Sequence, residues 1–344
     1  MHAVFQEILL PVARLVAATL TGFLIFKIRV VQRHLLRPVV FTIVNIIFPL
    51  YFVHTMPSQW ADGLEAGWGW MLVFFFAYLF FFVVQLGLGR LLINRTRLLA
   101  TDHPQELLVL FAMHNAGYIP IPIIAALAPP AVSVYMSFYM MAFVLSFFTV
   151  AVWLIQGAAH IRDARGRQAD ARSAVPAASH PPLRFKLNAP IVGILTGLLL
   201  GVTGWYELVP GWVKLPFRWS ATIALDAIMV VLGGVLAGIP AEGLSYRKEF
   251  GGLVLVKMVL YPAAVLGALA LVPLSGLAPP VASGIKLAFV VEAVVPPATN
   301  ILVLTKAYGT RDQVEYAGAA IVTTYLASVV LLPLFLVASR LLLG

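Results

Sequence analysis

Phe289 to Tyr308 reads FVVEAVVPPATNILVLTKAY. The stretch is apolar enough to sit in a bilayer, yet it carries a carboxylate, Glu292, and two adjacent prolines, Pro296 and Pro297. A proline within a helix removes one donor and pushes away the carbonyl four residues earlier. Pro296 therefore frees the carbonyl of Glu292, and Pro297 that of Ala293. In lipid such groups must face protein, water or a ligand. Ala112 to Ala125, AMHNAGYIPIPIIA, has the same character. There Pro120 and Pro122 are expected to free the carbonyls of Ala116 and Tyr118, beside His114 and Asn115.

Around these two stretches the chain is apolar throughout. Of 344 residues, 61% are hydrophobic and 11% charged, against about 25% charged in soluble domains. This is the composition of an all-α polytopic membrane protein. With no cysteine, a disulfide framework or thiolate metal site is excluded. The N-terminal MHAVFQEILLPVARLV has no basic region ahead of its apolar run, so a cleaved signal peptide is not expected. The net charge of +9 comes from Lys and Arg in short loops and marks the cytoplasmic side, not a nucleic-acid partner.

A span needs about 20 apolar residues. Ten are expected, at 6–27, 38–56, 67–92, 106–127, 131–156, 189–206, 219–239, 249–272, 283–305 and 314–339. The first loop holds Lys27, Arg29, Arg33 and Arg37; the second only Asp62 and Glu65; the third Arg90, Arg95 and Arg97 against Asp102; the fourth no charge. The fifth, 157–187, has six Lys or Arg against two Asp and reads as a flexible cytoplasmic linker. The alternation puts the odd loops inside and both termini outside the cell membrane. Lys214 and Arg218 fall on the outer side, against the trend.

The segments 1–156 and 188–344 read as two five-span repeats flanking the linker. Thr19 to Phe26 is TLTGFLIF and Ile194 to Gly201 is ILTGLLLG; Gly22 precedes Pro120 by 98 residues and Gly197 precedes Pro296 by 99. Five spans per half, an odd number, require the second half to be inverted. Inverted repeats with a break at matching positions point to a transporter with its site at the midplane.

Spans four and nine are the broken ones. Their second halves are expected to begin after the prolines, so two helix N-termini offer free amides to an anion. The first halves end there, offering carbonyls to a cation. Candidate substrate-binding residues are His114, Asn115, Gly117, Tyr118, Pro120, Pro122, Pro296, Pro297, Thr299 and Asn300. Candidate ion-coupling residues are Glu292, Asn115 and Asp226. An intramembrane carboxylate marks a functional site; Glu292 must bind a proton, bind a metal cation such as sodium, or pair with a basic side chain such as Lys257. Lys257 is expected to snorkel or pair, His114 to be a satisfied interior histidine, Gln85 and Asn45 to bond between helices, and the run Phe74 to Phe82 to face lipid or pack. HExxH, GxSxG and Walker A patterns are all missing, so an enzyme is not expected, and neither is an organic cofactor.

NAPIVGILTGLLLG (Asn188 to Gly201), LDAIMVVLGGVLAG in span seven, KMVLYP (Lys257 to Pro262), VVPPATNILVLTKAYG (Val294 to Gly309) and HNAGYIPIP (His114 to Pro122) together resemble the auxin efflux carrier family of membrane transport proteins. The resemblance spans essentially the whole chain. It implies ten helices in an inverted five-plus-five repeat, helices four and nine crossing, and efflux of carboxylate-bearing organic anions. It also implies a scaffold of helices one, two, six and seven, and a homodimer. The plant carriers' Asn-Pro-Asn-Thr-Tyr string and long central loop are missing here. Glu292 resembles the sodium-binding carboxylate of the related bile acid sodium symporters, which makes a symporter of that type the alternative. A membrane receptor that binds without transporting is the rival from another class.

Overall fold

The computed structural model describes residues 2–65, 67–96, 98–155, 189–238, 247–308 and 310–343. The expected linker 157–187 lies outside these residues, as do Arg97 and Gly309. Every regular element among the described residues is helical; the one extended pairing is an isolated bridge between His114 and Pro297. Among the described residues, six helices are long and apolar enough to cross a membrane.

In chain order, α1 is His2–Lys27. α2, Arg29–Ser58, contains a π-helical stretch, Ile43–Ile47. The short α3, Trp60–Glu65, leads to α4, Gly69–Arg95. Two short helices follow, α5 (Pro104–Ala112) and α6 (Pro120–Leu127). α7 is Pro130–Ile155. After residue 188 come α8 (Ala189–Thr203), α9 (Trp205–Leu208) and α10 (Gly211–Ala237). α11, Lys248–Leu271, holds a second π stretch, Val254–Leu260. The chain then runs through α12 (Pro279–Val294), α13 (Asn300–Tyr308) and α14 (Arg311–Leu343).

Proline punctuates this order. It occupies the first turn of α5, α6, α7 and α12, where its fixed φ suits a helix start and its missing N–H costs nothing. At two other places it goes with a widened helix. Pro49 and Pro262 each follow a π stretch. Each displaces a carbonyl four residues back, at Asn45 and Met258, inside that stretch.

Two expected loops prove to be helix. The basic residues Arg29, Arg33 and Arg37 lie in the first turns of α2, which leaves only Ile28 between α1 and α2. Their spacing of four places all three on one exposed stripe, so basic charge did not require a loop. Likewise α10 begins at Gly211, ahead of the expected 219. Lys214, one of the two charges against the orientation trend, is buried there, 3.6 Å from Glu207 and 4.7 Å from the centre of the Tyr206 ring. A paired, ring-stacked lysine carries little orientation information.

Glycine sets the closest helix contacts. A Cβ on Gly22 of α1 would lie 2.0 Å from the carbonyl oxygen of Val230 on α10, and one on Gly233 would lie 1.9 Å from that of Thr19. On the other side, a Cβ on Gly197 of α8 would lie 2.4 Å from the carbonyl oxygen of Phe52 on α2, and one on Gly193 2.5 Å from the Cα of Pro49. Backbones meet backbones at these two crossings, as small residues allow between membrane helices. The centre of the bundle belongs to α5 and α12. Every residue from Glu106 to Ala112, and every residue from Leu287 to Val294, is buried, which is the all-round burial of a helix enclosed by others.

Candidate functional site

α5 and α6 are separated by residues 113–119, and α12 and α13 by 295–299. The two gaps lie against each other as a short antiparallel pair. The Asn115 amide donates to the Pro296 carbonyl at 2.9 Å, and the Ala298 amide to the Met113 carbonyl at 2.9 Å. Groups that would be orphaned in a broken helix thereby satisfy one another.

The first gap is placed differently from expectation. Pro120 and Pro122 do not interrupt a helix at Ala116 and Tyr118; they sit in the first turn of α6, and the gap precedes them. This alters the electrostatics. Pro120 and Pro122 have no N–H, and the Ile123 amide bonds to the Ile119 carbonyl at 3.4 Å, so α6 presents Ile121 alone. At α13 the amides of Ile301 and Leu302 bond to the carbonyls of Ala298 and Thr299, at 3.1 and 3.0 Å, which leaves that of Asn300. The expected rows of free amides reduce to one at each helix.

The carbonyl ends are filled by side chains. The Phe111 carbonyl accepts from Lys257 Nζ at 2.5 Å. Gln85 of α4 joins it, its amide nitrogen 2.9 Å from the Phe111 carbonyl and its oxygen accepting from the Tyr261 hydroxyl at 3.1 Å. Lys257 is 1% exposed, so it does not snorkel. The π stretch that carries it turns it inward, where it caps the C-terminal end of α5. Gln85 bonds between helices as expected; Asn45 does not, donating instead to the Phe41 carbonyl of its own helix at 3.0 Å.

Glu292 and His114 form a buried pair. His114 Nε2 lies 3.0 Å from Glu292 Oε2, with each side chain 1% exposed. The same nitrogen lies 3.0 Å from the Tyr139 hydroxyl. Tyr78 stands over the imidazole, ring centres 5.8 Å apart, and donates to the Met113 sulfur at 3.6 Å. The aromatic run Phe74 to Phe82 is therefore divided: Phe76 and Phe80 are exposed, while Phe74, Tyr78 and Phe82 are buried towards the pair.

Asn115, Tyr118, Thr299 and Asn300 form a second polar group. Asn115 Nδ2 donates to the Tyr325 hydroxyl at 2.6 Å, its Oδ1 accepts from the Tyr118 amide at 3.0 Å, and the Tyr118 hydroxyl donates to Asn300 Oδ1 at 3.2 Å. Asn115, Gly117, Tyr118, Thr299 and Asn300 line a cavity of about 50 Å³ together with apolar residues that include Phe48 and Phe143. Polar groups from both gaps and aromatic rings thus share its lining. Pro296 and Pro297 shape the gap rather than line the cavity. Asp226 stands apart: it pairs with Arg14 of α1 at 2.5 Å, and both side chains are substantially exposed.

Tyr78, Tyr139 and Tyr325 were missed as site residues. Tyr78 was legible: Phe74, Tyr78, Phe82, Gln85 and Gly89 fall on one helical stripe, and Gln85 marks that stripe as inward. Tyr139 and Tyr325 carry no such local mark; long-range packing brings them to the gaps.

A family model described as membrane transport protein matches residues 7–336. No curated protein matches the chain.

Proposed function

The chain belongs to the membrane transport protein family, and from that premise we propose that it is a secondary transporter of small organic anions that works by alternating access at the paired gaps. The observation that carries this reading is the antiparallel pairing of residues 113–119 with 295–299, which places main-chain polar groups and side chains from two interrupted helices around one buried cavity. Irregular backbone inside a membrane protein is tolerated where it lines such a cavity. The donors beside the cavity that a carboxylate could use are the main-chain amide of Asn300, the Asn115 and Asn300 side-chain amides, and the Thr299 hydroxyl. The apolar part of the lining suits an apolar body.

The glycine contacts support an inverted repeat. Gly22 of α1 seats on α10, and Gly197 of α8 seats on α2. Under the proposed repeat these are equivalent pairs, first helix of one half on second helix of the other. The four helices form the scaffold in this reading, with ten spans in all and both termini outside. An impermeant thiol reagent should then leave Ser173→Cys unlabelled in intact cells. The exposed pair Arg14–Asp226 lies near the middle of α1 and α10, where charge facing lipid is expensive. That favours a homodimer covering this face, which crosslinking in membranes would test.

Purified protein in liposomes, loaded with a panel of radiolabelled small carboxylates, tests the function. Counterflow of at least one is expected. Saturable binding with no counterflow for any bound compound would favour a receptor instead, and strict dependence on sodium would favour the bile-acid-type symporter.

A further inference from the structure

We propose that Glu292 and His114 jointly hold one exchangeable proton, and that this proton is the ion coupled to transport; the coupling, though not the proton site, rests on the transporter reading above. Glu292 comes from the last turn of α12 and His114 from the first gap, so the pair joins the two segments that an alternating transporter must rearrange. His114 Nε2 is 3.0 Å from Glu292 Oε2 and 3.0 Å from the Tyr139 hydroxyl. Both groups therefore reach the same imidazole nitrogen, and neither carboxyl oxygen has a hydrogen-bond partner among the described residues.

The groups facing this carboxyl are few. Tyr78 of α4, Tyr139 of α7 and Tyr261 of α11 stand near enough to feel its charge; all three are phenols. Lys257 is the nearby cation, and its ammonium is held by the Phe111 carbonyl. A bare carboxylate beside a neutral imidazole would be a buried charge with no partner, which is strongly disfavoured. One proton resolves this. On Oε2 it makes a neutral carboxylic acid beside the imidazole; on Nε2 it makes an imidazolium paired with a carboxylate. The two positions are 3.0 Å apart, so the proton has a basic atom on either side.

A metal cation fits less well. The cation attracted by the orphaned Phe111 carbonyl is already built into the chain as Lys257. Loading the proton neutralises the pair as substrate binds; releasing it to the opposite side resets the transporter. One proton moves per cycle, taken from water on one face and returned to water on the other.

The test needs no substrate. Infrared difference spectra of the purified protein across a pH titration should show a protonated-carboxyl band that disappears in Glu292→Gln and shifts in His114→Gln. Thermal unfolding should respond to pH and be indifferent to replacing potassium by sodium. If Glu292→Gln unfolds, Glu292→Asp keeps the carboxyl and should move the band instead of deleting it. A wild-type spectrum with no band traceable to Glu292 would overturn the proton site. Sodium-dependent stabilisation that vanishes in Glu292→Gln would overturn it in favour of a metal. Failure of every carboxylate in the counterflow assay, with the band intact, would instead strike the transporter reading and leave the proton site standing.

Discussion

The ammonium of Lys257 occupies the position at the Phe111 carbonyl that the Asn115 amide would fill in an unbroken helix. In a continuous α-helix residue 111 accepts from residue 115. Here the Asn115 amide has gone to Pro296 at 2.9 Å, and Lys257 donates to Phe111 at 2.5 Å. One lysine from α11 thus completes a helix end that the gap leaves open.

Lys257→Met should therefore destabilise the protein although it removes a buried charge. The Phe111 carbonyl loses its strongest donor, at a cost of about 1–3 kcal/mol. A lowered unfolding temperature in detergent is the expected outcome. Unchanged unfolding would mean that Gln85 suffices as the cap.

Replacing Pro296 and Pro297 together by Ala should restore two donors that α12 could use to continue past Val294. Stability should hold or rise, while transport should fall as the Pro296 and Ala298 pairing with the first gap is lost. Transport at the wild-type rate would separate the gap from the site.

Gly22→Ala and Gly233→Ala should each push α1 and α10 apart, since the new methyl would fall about 2 Å from a backbone oxygen that cannot rotate away. The expected loss is about 1–3 kcal/mol or more. Gly87→Ala on α4 should act oppositely. A methyl there meets nothing within 4 Å, and alanine is favoured over glycine in a helix interior by about 1 kcal/mol. Thermal unfolding of the three variants side by side decides the matter.

Tyr325→Phe removes the oxygen that accepts from Asn115 Nδ2 at 2.6 Å. The buried amide is left with one fewer partner, at a cost of about 1–3 kcal/mol, and Asn115 loses its anchor to α14. Counterflow should fall more than stability does. Equal losses in the two would assign Tyr325 a structural role alone.

The interruptions were legible because proline acts locally: Pro296 and Pro297 forbid a continuous α12–α13, and the same logic located the first gap to within a few residues. Its register was misjudged for a chemical reason. A proline that interrupts a helix and a proline that begins one have the same sequence neighbourhood, and only the fold places Pro120 at a start. Glu292 stood out because charge is rare in apolar sequence. Its partner did not, since His114 reaches it across 178 positions of chain, and no periodicity encodes that distance. Lys257 was expected to snorkel or to pair; it lies in the π stretch Val254–Leu260 and is buried against the Phe111 carbonyl. Basic residues at Arg29, Arg33 and Arg37 marked a polar surface correctly, but polarity alone did not separate a loop from the exposed stripe of a helix.

The two glycine crossings also constrain how the chain can be made. α1 leaves the ribosome with Thr19 and Gly22 ready for a surface on α10 that is not synthesised until some two hundred residues later. α2 waits in the same way for α8. During that interval the nascent N-terminal segment must rest in the bilayer with its tightest contact faces uncovered, exposed to wrong partners or to insertase. Assembly at these crossings is therefore necessarily late, and sequence changes at Gly22 or Gly197 should show first as poor yield from the biogenesis machinery, before any defect appears in protein that has already matured.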